Sequence, residues 1–354
     1  MKRFLTLLLL LSSALLAYSV FNTRGLGGYT PPAEFLEIPS MSETILEARF
    51  TSEYVYATDA QTGQNAFLLR PERFRFYFPL PWRFGLGAQI TQRFNLDFYV
   101  ESDSARSADY TLIRRVKGRG GIEGLRLSLD KCFYDIIYLG VGYERLFGGA
   151  WERWDSEIVE LNQITIDSLL YYFGGNGVWG MAGFKIGQVE LRGFYAHPLG
   201  LQVTTEVQTS RDTTVVDSAS YTQPAELGGI ITYSTDKLEL GLAYIQQKAE
   251  DSGYLSFITG HLVEVNGGWE LKPFILTGKA GWKSWYVESA GGLPIRDIYL
   301  GIGTRIPIES YGYGIIQLSG GLRNGGEISE YHVELRAGLE FRELWKKRER
   351  MWGG

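Results

Sequence analysis

The sequence predicts an all-β fold: a transmembrane antiparallel β-barrel of about fourteen strands, wound as an up-and-down meander with an N-terminal plug. Three observations carry that prediction. Apolar residues alternate with polar, charged or small ones along segment after segment. The connections between those segments are long and short by turns. An export signal stands in front of them.

The signal is Met1 to Ser19, with Lys2 and Arg3, an apolar run from Phe4 to Ala17, and small residues at Ala17-Tyr18-Ser19. A run that short, flanked that way, reads as a cleaved secretory peptide rather than a membrane helix. The only cysteine is Cys132, so an exported chain has no internal disulfide and no lipid-anchoring cysteine after the cleavage site. Beyond the signal there is no apolar run long enough for a transmembrane helix. The net charge of −5, without any basic tract, speaks against a nucleic-acid partner. Abundant glycine (44 residues) and 14% aromatics suit strands that face lipid on one side.

Residues 20–42 are punctuated by Gly and Pro and show no period, so they form an irregular arm, the available plug. Strand candidates follow at Glu43–Tyr54, Phe67–Phe78, Phe84–Val100, Gly121–Leu129, Tyr134–Leu146, Val178–Ile186 and Val189–His197. The second half adds Glu226–Ser234, Leu238–Gln247, Leu262–Leu271, Phe274–Trp282, Ile298–Ile306, Tyr311–Leu322 and Tyr331–Phe341. The last is the clearest. Tyr331, Val333, Leu335, Ala337, Leu339 and Phe341 fall on one face, and His332, Glu334, Arg336, Gly338 and Glu340 on the other. Side chains of a strand alternate between faces, so this is one face for lipid and one for a lumen. The expected division is residues 1–19 signal peptide, 20–42 arm, 43–343 barrel and 344–354 a periplasmic tail.

The connections sort by length. Pro79–Arg83, Asp130–Phe133, Gly187–Gln188, Thr235–Lys237, Lys272–Pro273 and Pro307–Ser310 are short, whereas Phe147–Gly177 and Pro198–Ala225 are very long, and Val203–Val216 alternates enough to extend its flanking strands above the membrane. In a meander, alternate connections lie at opposite ends, so one end carries short turns and the other long loops, as in outer-membrane barrels. An even number of strands puts both termini at the short-turn, periplasmic end. Trp82, Trp179, Trp269, Trp282, Trp285 and Trp345 lie near strand ends, where aromatic girdles form.

An Arg or Lys facing lipid at mid-depth costs about 2–4 kcal/mol. Arg73 and Arg75, Lys279 and Lys283, and Glu334, Arg336 and Glu340 are therefore expected in the lumen, as a structural ion-pair network or as a constriction that selects solutes. Arg24 in the arm is expected to pair with Glu334 or Glu340 and hold the plug. The three histidines, His197, His261 and His332, are isolated and lack metal-ligand spacing. No nucleophile elbow is present, and His332, the one candidate base for a barrel phospholipase, has no evident partner. The sequence thus indicates no catalytic residue, no metal and no cofactor.

Several stretches together resemble the FadL-type outer-membrane transport proteins, in particular the shortened relatives found with PorV-like barrels. They are FPLPWRFGLGAQIT (Phe78–Thr91), GRGGIEGLRLSL (Gly118–Leu129), YLGVGYERLFGGAWE (Tyr138–Glu152), PAELGGIITYS (Pro224–Ser234) and ISEYHVELRAGLEFRELWKKRE (Ile328–Glu349). The resemblance implies a fourteen-stranded barrel with an N-terminal plug that passes hydrophobic, fatty-acid-like molecules inward through an opening in its wall. It departs from the family at Thr30-Pro31-Pro32-Ala33, which stands where an Asn-Pro-Ala stretch is common. The implied setting is the bacterial outer membrane, with lipid and a hydrophobic small molecule as partners. The alternative reading is a structural or secretion-associated barrel that anchors secretion or surface proteins.

Overall fold

A computed structural model describes residues 28–29, 43–58, 63–101, 105–106, 110–208, 213–221, 224–248, 258–288, 292–308 and 312–344. Its fourteen antiparallel strands each pair with their sequence neighbours. They are β1 (Glu43–Thr58), β2 (Gly63–Leu80), β3 (Phe84–Asn95, continued by Phe98–Glu101 and Ala105–Arg106) and β4 (Thr111–Phe133). Next come β5 (Ile137–Ile158), β6 (Gln163–Ile186), β7 (Val189–Gln208) and β8 (Thr213–Tyr221 and Ala225–Ser234). The series ends with β9 (Leu238–Lys248), β10 (Gly260–Leu271), β11 (Phe274–Glu288), β12 (Pro294–Ile308), β13 (Gly312–Gly325) and β14 (Ile328–Leu344). β14 returns to β1 with a continuous register from Ser329–Thr58 to Leu344–Glu43, which closes the barrel. Closure removes the sheet edges that lipid would leave without hydrogen-bond partners.

The period-two pattern sets the faces. On β14, Tyr331, Val333, Leu335, Leu339 and Phe341 are exposed outward, while His332 and Glu340 are buried inward. Leu240 and Ile302 also point out. Tyrosines mark the outer wall a few residues above the short turns. Tyr195 stacks on His197 and Tyr244 on His261, and the Tyr143 hydroxyl donates to Asn176 Oδ1 at 2.5 Å. These polar-tipped aromatics form an interfacial girdle. Trp82 and Trp269 are exposed in the lower one. Trp179 and Trp285 do not join it. Both lie on the inward phase of their strands, Trp179 packed against Met181, Phe194, Ile245 and Leu262, and Trp285 against Ile295. Trp345 lies outside the described residues.

The two very long loops expected at Phe147–Gly177 and Pro198–Ala225 are mostly strand. β5 and β6 stay paired from Ile137–Phe184 up to Ile158–Gln163, and the chain turns through Val159–Leu161. In the upper part of β7, Leu201–Gln208 pairs with the first segment of β8, the extension that the alternation of Val203–Val216 predicts. Pairing continues beyond the membrane although the outer face turns polar there. At ~3.3 Å per residue and ~40° tilt, the 24 residues of β6 rise about 60 Å and the 11 of β9 about 28 Å. One side of the barrel is twice as tall as the other.

β3 is where the wall is irregular. Its register with β2 ends at Arg73–Thr91, although β2 runs on to Gly63. Above that point β3 carries a bulge at Arg93, between Gln92–Glu123 and Phe94–Ile122. The chain from Arg93 to Phe98 is then buried residue after residue, which means it bends into the lumen. Asp97 Oδ1 accepts the Gly120 N–H at 2.9 Å, and Leu96 N–H donates to Gly120 O at 3.0 Å, fixing the bend. Gly120 sits at φ 127°, and an added Cβ would lie 2.2 Å from the Gly149 carbonyl oxygen, so no other residue fits there. Gly28 and Tyr29 pair with Asn95 and Phe94. The arm was not expected to add to the sheet. It does so at these two residues because β3 has left that edge open. The rest of residues 20–42 lies outside the described residues.

Candidate functional site

The lumen holds two kinds of surface. The first is a charge network on the short side and on β1 and β2. Glu47 is buried between arginines: Arg73 Nη2 lies 2.8 Å from Oε1, Arg75 Nη1 3.8 Å from Oε2, and Arg49 Nε also contacts Oε1. Arg336 bridges Glu334 (2.9 Å) and Glu72 (3.5 Å), and Ser319 donates to Glu334 at 3.1 Å. Tyr299 donates to Glu264 at 2.6 Å, and Lys279 Nζ stands 5.5 Å from the Tyr299 ring centroid. Nearer the upper rim, Arg323 bridges Glu330 (2.7 Å) and Asp297 (3.3 Å) and lies over the Trp285 ring, as does Lys283. Glu340 accepts from Arg342 Nε at 2.5 Å. Pairing on this scale is what allows so many ions to be buried.

All the described candidate residues, Arg73, Arg75, Lys279, Lys283, Glu334, Arg336 and Glu340, lie on the inward phase of their strands. Arg73 and Arg75 gather at Glu47, Lys279, Glu334 and Arg336 form a second group, and Lys283 sits higher, by Trp285. Arg24 lies outside the described residues. His332 faces Asp297 at 3.8 Å. A cavity of about 400 Å³ extends from Lys279 and Arg336 to the short-turn end, lined also by Arg49, Arg192, Lys237 and Glu264.

The second surface is apolar. Phe94 and Leu96 from the inward bend pack with Ile122, Leu146, Ala150, Phe173, Leu201 and Val203 from the inner faces of β4 to β7. Phe94, Ile122 and Leu201 are wholly buried. This cluster sits beside the place where β2–β3 pairing stops. There Arg70 reaches from β2 to donate to Gln92 Oε1 at 2.7 Å.

At the lower edge of this cluster lies a group that the alternation of the sequence does not single out. Arg93 Nε is 3.0 Å from Glu144 Oε1 on β5, and its Nη2 is 3.4 Å from Glu226 Oε2 on β8. Arg126 also donates to both Glu144 oxygens, at 2.9 and 3.2 Å, and Gln247 donates to Glu226 at 3.3 Å. Arg126 and Glu144 are on the charged phase of strands already legible in GLRLSL and YERLF, and that phase could have found them. Arg93 is hidden by its bulge, where the alternation breaks.

No protein-family model matches the sequence, and no curated protein matches it. Solved structures do. A Pseudomonas aeruginosa FadL homologue superposes with a TM-score of 0.55 at 11% identity, covering 94% of this chain and 99% of that one. The Ralstonia pickettii toluene transporter TbuX gives 0.56 at 10% identity, over 92% and 99%. The Pseudomonas putida toluene transporter TodX gives 0.53 at 11%, over 94% and 99%. The chain has the FadL-type barrel fold. At these identities the likeness concerns the fold, and what the lumen carries is a separate question.

Proposed function

We propose that this protein is an outer-membrane channel through which small hydrophobic molecules, fatty-acid-like ones included, pass inward, exported there by removal of residues 1–19. The observation that carries the reading is the buried apolar cluster of Phe94, Leu96, Ile122, Leu146, Phe173 and Leu201 beside the wall position where β2–β3 pairing ends. An apolar molecule dissolved in the outer leaflet meets there a wall without its ladder and an apolar surface behind it. Burial of apolar area at about 25 cal/mol per Å² is the driving force for its entry. The FadL homologue and the toluene transporters that share the fold are consistent with such cargo.

The test is to purify the protein in detergent and titrate it with a hydrophobic fluorophore such as 1-N-phenylnaphthylamine. Saturable binding, lost in Phe173→Asp while the barrel still migrates as a heat-modifiable band, is the expected result. Binding that ignores Phe173→Asp would remove the cluster from the route. The anchoring alternative has one observation in its favour, the tall paired hairpins of β4 to β8, which offer partner proteins a rigid surface above the membrane.

A further inference from the structure

We propose that Arg93 is the residue that seals the lumen, tying opposite walls together at the lower edge of the apolar cluster on β3 to β7. The geometry begins with the distance to be covered. β3 and β8 are five strands apart, about 24 Å around the wall at ~4.8 Å per step. An Arg–Glu contact at 3.4 Å between them therefore crosses the interior instead of following the wall. The inward bend of β3 brings the backbone part of the way, and the bulge at Arg93 aims the side chain, a known use of bulges.

The levels match on three strands. Phe94, Ile122 and Leu146, the next inward residues toward the tall end, all belong to the apolar cluster. Thr91, Arg126 and Gly142, the next inward residues toward the short-turn end, are polar or small. On β3, β4 and β5 the link thus lies at the lower edge of the apolar cluster, whereas on β7 and β9 the inward residues one step below Glu226, namely Phe194 and Ile245, belong to a separate apolar group. Room for it is built in at Gly124, where an added Cβ would lie 2.4 Å from Glu144 Oε1 and 2.9 Å from Arg93 Cγ. Both carboxylates are buried and each has a second donor, Arg126 on Glu144 and Gln247 on Glu226. Each is thus held in place with or without Arg93. Among the described residues the Arg93 guanidinium is the contact that joins them, and its five donors in a fixed fork suit a bridge between two carboxylates.

The inference uses the transport reading only for the identity of the cargo; the seal is tested with polar solutes. Full-length protein is reconstituted in liposomes, and swelling is followed in arabinose. Wild type is expected to swell slowly, Arg93→Ala severalfold faster, and Arg93→Lys, which keeps one charged contact, close to wild type. Arg73→Ala removes an equally buried lumen arginine away from the link and is expected to leave swelling unchanged. Glu226→Gln, which keeps the shape, is read in the same assay in case Arg93→Ala does not fold, and is expected to fall between wild type and Arg93→Ala. Unchanged swelling in folded Arg93→Ala or in Glu226→Gln overturns the proposal, and so does an equal rise in Arg73→Ala, which would mean general loosening. If the fluorophore fails to bind wild type while Arg93→Ala swells faster, the transport reading falls and the seal stands. If the fluorophore binds and swelling is unchanged, the seal falls and the transport reading stands.

Discussion

The tall half of the barrel, β4 to β7, and the short half, β9 to β12, are built from the same alternation and use it differently. β4, β5, β6 and β7 run 23, 22, 24 and 20 residues, whereas β9 and β10 run 11 and 12. About ten tilted residues cross a membrane, so the short half is almost all membrane wall. The tall half carries a second storey. Its outer face changes character on the way up. On β5, Leu139, Val141 and Tyr143 give way to Arg153, Asp155 and Glu157, and on β4, Leu129 and Leu127 give way to Arg119, Lys117 and Arg115. The inner faces differ as well. The tall half supplies the apolar cluster around Phe94 and, on β4 and β5, the Arg126–Glu144 pair. The short half, with β1, β2, β13 and β14, supplies the ion pairs around Glu47, Glu334 and Arg323, besides Ile245 and Leu262 of a smaller apolar group. A strand reports only that its faces differ. Depth decides which solvent each face meets.

The largest effect should come from the charged interior. Glu47→Ala takes away the carboxylate shared by Arg49, Arg73 and Arg75. Removing one partner of a buried ionic group costs about 3–5 kcal/mol. Urea unfolding of the liposome-embedded barrel measures it. A loss under about 1 kcal/mol, the range of an exposed pair, would mean that water already fills the lumen around these arginines. The contrast between the charged and the apolar inner surfaces would then vanish.

A second comparison uses the outer face. Leu242→Arg places a guanidinium on the lipid side of β9, near the middle of its 11 residues, at an expected cost of about 2–4 kcal/mol. Ile166→Arg makes the same change on the upper outer face of β6, where substitution is expected to stay within about 0.5 kcal/mol. Equal costs in the two variants would place the β6 extension inside the membrane.

Much of this is legible from the residues alone. All fourteen strands, the order of their connections and the inward phase of Arg73, Lys279, Glu334 and Arg336 follow from period two, because a buried or lipid-facing side fixes the register. The boundaries are least legible on the tall half. There the sequence between Phe147 and Gly177 loses its apolar alternation on leaving lipid, yet goes on pairing. Pairing without an apolar face leaves little trace in composition. The central link is illegible for another reason. Gln92-Arg93-Phe94-Asn95 breaks the alternation at a bulge, and a contact between residues 133 apart in the chain depends on how far β3 bends. Nothing local encodes that. For Trp179 and Trp285, proximity to a strand end points to the girdle, but the phase of the strand decides and turns both inward.

The smallest effect concerns ion pairs of equal geometry in unequal settings. Arg115 and Glu157 join β4 to β5 on the outer face of the tall half at 2.8 Å, with 35% and 25% of their side chains exposed. Arg323 and Glu330 join β13 to β14 inside the lumen at 2.7 Å, with 11% and 0% exposed. Distance alone predicts the same coupling. Solvent predicts otherwise. A pair in water-like dielectric is worth about 0.2–1 kcal/mol and is screened within a Debye length of ~3 Å at 1 M salt. The inner pair is shielded from mobile ions by the wall, and Asp297 and the Trp285 ring hold Arg323 in place. Double-mutant cycles to alanine at both pairs, run in about 0.1 M and about 1 M NaCl, measure the difference. The outer coupling should fall toward zero in high salt, while the inner coupling should stay larger and unchanged. If both fell together, salt would have free access to the upper lumen, and the barrel would be an open pore at that level.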